Sequence, residues 1–390
     1  MPVAVVAPRR KGFIMVNAHP EGCRAEVERQ FDIATSLEPR ASGSALVVGS
    51  STGYGLASRI CAVNGLGMSS VGVFLEREPS NDKPGSAGWY NDVAFRRRAG
   101  GTQVSLNADA FADDTKRVAL RSLREIGQPV SLFVYSVASP VRVHPVTGQR
   151  LRSAIKPIGA PYSTVSLDID TRALRSVEID AASEQEIAET VAVMGGEDFS
   201  MWFDALTEGG LLAPDARAFA YSYVGPEMTW PIYRDGTIGR AKADMEAHVD
   251  RANSTFDSSR GGGAWLAVNK AIVTQASSAI PSVPLYISIL FEAMKSRGLH
   301  EDAIDQMVRL MRDDFAATRS LDAGRRVRLD DWEMRPDVQS EVETKWRQIL
   351  TSNSLAGVDV DAFVNAFERL FGFAVEGINY QAEVELQPHL

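Results

Sequence analysis

Ala45-Leu46-Val47-Val48-Gly49-Ser50-Ser51-Thr52-Gly53-Tyr54-Gly55-Leu56 joins an apolar run, a glycine-rich turn and the start of an amphipathic segment. Consecutive apolar residues fit a strand buried on both faces of a parallel sheet. Leu56, Ile60 and Val63 then recur at helical spacing. Glycines 49, 53 and 55 follow G-x-x-x-G-x-G. Small residues there let the backbone approach a pyrophosphate, and the following helix offers free amides and partial positive charge. The stretch from Gly49 to Tyr54 is therefore a candidate dinucleotide-binding turn.

The flanking sequence repeats the strand–helix alternation. Ser70 to Leu75 reads as a second strand, closed by Glu76, where an acid hydrogen-bonds adenosine ribose hydroxyls. A carboxylate there repels a 2′-phosphate, so NADH is expected to be preferred over NADPH. Gln103 to Leu106 forms a third strand leading to Asp109-Ala110, placed to meet the adenine. Val118, Leu120 and Leu123 mark a helix before a fourth strand, Val130 to Tyr135, after which Val137-Ala138 is set to line the cofactor's other side. Ala218 to Val224 is a fifth strand candidate.

Residues 141–182 break the pattern with two predicted hairpins, one over 143–151 and one pairing 165–170 with 176–180, read as a lid or substrate wall. Ser183-Glu184-Gln185-Glu186 is a capping box. That helix is expected to stop at Gly195-Gly196 and the next at Gly209-Gly210. Ala264 to Ile280 reads as a largely buried helix. Pro284 and Gly298 bracket another, and Ile304, Val308, Met311 and Phe315 give a third. The last seventy residues are more polar, with a short helix around Val364 to Phe371 and a tail near Val384 to Leu390. The expected fold is α/β: one Rossmann-type unit over 1–390, doubly wound around a mostly parallel sheet. Its core spans about 40–280, the β-hairpin insertion about 141–182, and the extra C-terminal helices about 284–390.

Composition excludes several classes. A net charge of −9 over 390 residues argues against nucleic-acid binding, and Arg96-Arg97-Arg98 is the only run of three arginines. It reads as a solvated patch, with contact to an acidic partner held in reserve. Two cysteines, Cys23 and Cys61, make no disulfide framework and suit a reducing cytoplasm. No signal peptide is read at the N-terminus, and no apolar run reaches the ~20 residues of a membrane span. The five histidines never pair at metal-ligand spacing, and His19 with Cys23 lacks further ligands, so no metal is expected.

Tyr233-Arg234-Asp235-Gly236-Thr237-Ile238-Gly239-Arg240-Ala241-Lys242 holds the candidate chemistry. A phenol donates where negative charge develops on a carbonyl oxygen, and a nearby ammonium lowers the cost of that charge. Tyr-x8-Lys is wider than the three-residue gap of short-chain ketone reductases, and no tyrosine here is followed by lysine at that shorter spacing. Ile238, Ala241, Met245 and Val249 mark the buried face of a helix, with Lys242 on the same face. A lysine there has either a function or a snorkelling stem.

Longer motifs carry a family resemblance. Gly12-Phe13-Ile14, Ala18-His19-Pro20-Glu21-Gly22-Cys23, Ser51 to Arg59, Tyr233 to Gly239, Val273 to Pro281 and Phe371 to Gly377 resemble the FabV-type enoyl-ACP reductase and trans-2-enoyl-CoA reductase family. The likeness spans essentially the whole chain. It implies an NADH-dependent, usually monomeric enzyme that reduces the 2,3 double bond of an enoyl thioester, carried on CoA or acyl carrier protein, as in fatty acid biosynthesis. By position it implies Tyr233 and Lys242 as catalytic residues and Tyr223 as substrate-binding. It also implies NAD contacts from Ser50 to Tyr54, Leu75-Glu76, Asp109-Ala110, Val137-Ala138, Lys242 and Ile272-Val273-Thr274. Two departures are visible: Ala243 stands where some members have a second lysine, and Leu75 where an aromatic is frequent. The family's C-terminal region carries a flavin-binding label, but residues 320–390 show no flavin-specific chemistry, and FAD is not expected.

Overall fold

The computed structural model describes residues 2–38, 42–80, 83–256, 260–278, 280–316 and 318–388. Seven parallel strands form the central sheet: β1 (Ser44–Val48), β2 (Ser69–Phe74), β3 (Gln103–Asn107), β4 (Val130–Tyr135), β5 (Leu212–Ser222), β6 (Gly263–Val268) and β7 (Val327–Arg328). Their order is β7-β6-β5-β4-β1-β2-β3. The order reverses between β1 and β4, where Leu46 lies opposite both Val71 and Phe133. In open parallel sheets, ligands bind in the crevice beyond the strand ends at that reversal.

The pleat of β1 explains the two helical layers. Alternate side chains point to opposite faces. Ala45 and Val47 join one core with Phe31, Leu56, Leu132, Trp265 and Met307. Helices α1 (Pro20–Ala34), α2 (Gly53–Ile60) and α3 (Ala87–Arg98) cover that face. Leu46 and Val48 join a second core with Leu123, Phe133, Phe203 and Val249. It is covered by α4 (Asp113–Ile126), α6 (Glu197–Glu208) and α7 (Thr237–Asn253). Between α4 and α6 in the chain, α5 (Glu184–Met194) opens on the expected capping box of Ser183 and Glu186.

The insertion consists of the two expected hairpins, Val141–Val143 with Arg150–Arg152 and Tyr162–Asp168 with Ala173–Ile179. Its Leu167 and Ile169 enter a third core built by α8 (Val283–Lys295), α10 (Pro336–Ser352) and α11 (Val360–Arg369). Preceding α10, helix α9 (Ala303–Phe315) lies in the α1–α3 layer, with Ile304, Met307 and Met311 in its core.

Two expectations fail. Ala264 to Ile280 is not a helix. Its first part is β6, buried on both faces between β5 and β7, and among its described residues only Gln275–Ser278 makes a helical turn. A short apolar run carries no period that separates a buried strand from a buried helix. The C-terminal region is also richer than one short helix. It supplies β7, α10 and α11, and Glu383–Glu385 pairs antiparallel with Val3–Val5. Residues 389–390 of the expected tail lie outside the described residues.

The two motifs at opposite ends of the chain meet. The His19 amide donates to Phe371 O at 2.8 Å, and a Cβ on Gly22 would overlap the Gly372 carbonyl. His19 caps α1 by accepting the Gly22 amide on Nδ1 at 3.2 Å, a structural role. Burial holds its imidazole below the usual range. Among the described residues no cluster of three metal-ligating side chains occurs. Arg96 pairs with Asp92 at 2.8 Å and Arg98 approaches Asp32 at 3.6 Å, so the basic run is partly spent internally.

Candidate active site

A cavity of about 1130 Å³ opens at the reversal of strand order. Its wall combines Thr52, Gly53 and Tyr54 with Glu76, Val137, Ala138, Tyr223, Tyr233, Lys242 and Ile272-Val273-Thr274. Segments far apart in sequence thus converge on one space.

The turn from β1 to α2 fits a pyrophosphate. Gly49 has φ +88, and a Cβ on Gly55 would overlap the Gly49 carbonyl, so a larger residue would push α2 off the strand. Thr52 caps α2 with no side-chain hydrogen bond, leaving the first amides free to meet an anion. Ser51 Oγ donates to Glu76 Oε1 at 2.7 Å and holds that carboxylate beside the turn. Gly49, Ser50 and Ser51 build the turn without lining the cavity wall themselves. Leu75, Asp109 and Ala110 follow β2 and β3 outside the wall. Leu75 is 69% exposed, and the Ala110 carbonyl is engaged by Lys116 Nζ and Trp202 Nε1.

At the other end of the cavity, Tyr233 closes a short helical turn, Trp230–Tyr233, and α7 begins four residues later. The start of α7 is tied to the segment after the first hairpin: Thr237 N donates to Lys156 O at 2.9 Å, and Thr237 Oγ1 donates to Ala154 O. This brings Lys242, one turn further on, over both tyrosines. Its Nζ lies 5.4 Å from the Tyr233 ring centre and 5.7 Å from that of Tyr223, and it donates to the Tyr223 carbonyl. No carboxylate lies within ion-pair distance of it among the described residues, and burial lowers the lysine to about 7. Ile238, Ala241, Met245 and Val249 are buried as their spacing predicts.

Tyr233 is 6% exposed, and its hydroxyl has no hydrogen-bond partner among the described residues. Burial first, then the negative charge of Glu333, pushes the phenol above its ordinary range, so it stays a proton donor. Its ring meets Tyr223 edge-on, centres 4.8 Å apart at 81°. Apolar side chains of Ile155, Met194, Ile238, Ile280, Val283 and Phe291 complete this end of the cavity. A free phenol, a cation and an apolar pocket beside a dinucleotide turn suit hydride transfer to a polarised unsaturated carbonyl compound.

Residues 83–315 match the trans-2-enoyl-CoA reductase catalytic region, and residues 5–81 match the NAD(P)H binding domain of trans-2-enoyl-CoA reductase. The chain belongs to the trans-2-enoyl-CoA reductase family. It is 46% identical to an NADH-dependent enoyl-acyl-carrier-protein reductase of Opitutus terrae, over 99% of each chain. It is 42% identical to a trans-2-enoyl-CoA reductase (NADH) of Ruminiclostridium cellulolyticum, again over 99% of each. The crystal structure of Treponema denticola trans-2-enoyl-CoA reductase in complex with NAD superposes with TM-score 0.92 at 39% identity, covering 98% of both chains.

Residues 321–384 match the family's enoyl reductase FAD binding domain. They do not fit a flavin. No glycine turn joins β7 to α10, and Val338, Val342, Trp346, Phe363 and Phe367 are spent in the core.

Sequence reasoning missed two buried charged residues, Lys270 in the cavity wall and Glu333 behind it. Lys270, 1% exposed, is lowered by burial to about 8 and donates to Ala271 O at 2.9 Å. Glu333, fully buried, accepts from Tyr223, Tyr286 and the Ala271 amide. An acid beside an aromatic, Trp332-Glu333, was the sole local signal in the sequence.

Proposed function

We propose that this chain reduces the 2,3 double bond of trans-2-enoyl thioesters with NADH, and that Tyr233 and Lys242 carry the reaction. The observation behind this reading is the unpartnered Tyr233 hydroxyl under the Lys242 ammonium, on the same cavity as the α2 turn. Bound NADH supplies a hydride to C3 of the substrate. Tyr233 donates to the thioester oxygen and stabilises the enolate that develops there. Lys242 places positive charge beside that oxygen and beside the cofactor, and its aromatic neighbours keep it shielded from water. As the enolate collapses, a proton drawn from solvent adds at C2 and gives the saturated acyl thioester.

On the cofactor side, Gly49 to Tyr54 would hold the pyrophosphate at the start of α2. Glu76 would take the adenosine ribose and disfavour a 2′-phosphate. Val137, Ala138 and Ile272-Val273-Thr274 would bracket the nicotinamide half, while Leu75, Asp109 and Ala110 would meet the adenine beyond the enclosed cavity. Ile155, Met194 and Phe291 suit an apolar acyl chain. The substrate rides on CoA or acyl carrier protein, and the working form is a cytoplasmic monomer.

The test is NADH oxidation with crotonyl-CoA against acetoacetyl-CoA. Turnover on crotonyl-CoA with little on acetoacetyl-CoA is expected. The reverse preference would make the chain a ketone reductase, and NADH binding without turnover on either would leave a dinucleotide-binding protein.

A further inference from the structure

Glu333 lies in the turn between β7 and α10 with 0% exposure, and three donors converge on it. Tyr223 OH at 2.9 Å and Tyr286 OH at 2.6 Å donate to Oε1, and the Ala271 amide donates to Oε2 at 2.6 Å. Gln339 Nε2 donates to Tyr286 OH at 3.3 Å, which leaves the Tyr286 proton pointing at the carboxylate. An ionised carboxylate only accepts, and that matches three incoming donors. Burial pushes the carboxyl up, while buried Lys270 draws it back towards the charged form.

A phenol has one proton to give. Tyr223 spends its proton on Glu333, so towards the cavity it offers only lone pairs and the edge and face of its ring. The neighbouring Tyr233 hydroxyl keeps its own proton free. Glu333 also holds Ala271, the residue leading into Ile272-Val273-Thr274, and α8 through Tyr286. One carboxylate therefore links the residue just after β5, the cavity loop after β6 and the acyl-side helix.

We infer that Glu333 is a positioning residue: by accepting the Tyr223 proton it leaves Tyr233 as the sole phenolic donor to the substrate carbonyl and fixes the Tyr223 ring as the wall against which Tyr233 packs. This rests on the enoyl reductase reading. It makes Tyr223, the expected substrate-binding tyrosine, an acceptor and a wall rather than a donor.

The experiment is a double-mutant cycle on kcat with crotonyl-CoA and NADH, using wild type, Glu333→Gln, Tyr223→Phe and the double variant, with Tm and NADH Kd measured for each. Glutamine keeps the volume but replaces one of the two acceptor oxygens with an NH2 donor, so the two tyrosines and the Ala271 amide can no longer all be accepted. Glu333→Gln is expected to lower kcat about tenfold while NADH Kd changes less than about twofold, and the double variant should be no slower than Glu333→Gln alone. A wild-type kcat in Glu333→Gln, losses that multiply in the double variant, or an NADH Kd that shifts with kcat would overturn the inference. Should Glu333→Gln not fold, Glu333→Asp carries the same cycle with the same outcomes. Wild type inactive on crotonyl-CoA would overturn the enoyl reductase reading itself, before any variant is compared.

Discussion

Lys242 is held at about 7 in the folded protein by burial, against 10.5 ordinarily. Between those values the unfolded chain binds more protons than the folded one, so this residue makes stability rise with pH across the window. Its full cost falls below pH 7. Lys242→Met should therefore raise Tm most below pH 7, with the gain fading towards pH 10.5; an equal gain at both ends would contradict the burial. A charged lysine also favours an anionic cofactor, so NADH Kd should weaken as pH rises past about 7 in wild type and stay flatter in Lys242→Met. Tyr233→Phe removes the free phenolic donor and should lower kcat roughly 10²-fold with little change in NADH Kd, as for other charge-stabilising donors. At Glu76, held by Ser51, substitution by alanine should shift the ratio of kcat/KM for NADH over NADPH towards NADPH, and an unchanged ratio would remove Glu76 from cofactor choice. These residues were legible because each sits in a local pattern: Glu76 at a strand end, Tyr233 and Lys242 in one short motif. Glu333 was not, because its partners come from the residue just after β5, the loop after β6 and α8, and its meaning exists only once β7 reaches the sheet edge.

At the level of elements, the β1–α2 turn, the first five strands, the hairpin insertion and the capping box follow from period and glycine placement. The seam between α1 and the loop at Gly372 does not, since no local period relates residues separated by most of the chain. Gly22→Ala forces a methyl into the Gly372 carbonyl and should cost roughly 1–3 kcal/mol or more, read as a lower urea midpoint. A variant as stable as wild type would mean that the seam opens easily. Strand β6 was unreadable for a different reason: buried on both faces, it lacks the alternation that marks a half-buried strand. In α10, Val338, Val342, Trp346 and Ile349 do keep a helical period, masked by the polar composition around them.

Across the whole molecule, the C-terminal region is part of the fold rather than a flavin module. Its apolar residues share one core with α8, Tyr233 and Ile238. The purified protein should therefore reach full NADH-linked activity with no flavin absorbance, whereas activity that follows added or retained FAD would contradict this account. Everything in this reading turns on hydride passing from NADH to C3 of an enoyl thioester inside the cavity shared by α2 and Lys242. Its most direct test is product analysis after reducing crotonyl-CoA with stereospecifically deuterated NADH of each face. Butyryl-CoA carrying one deuterium at C3, from one of the two labelled cofactors, is expected. Deuterium at C2, or no saturated thioester at all, would contradict it.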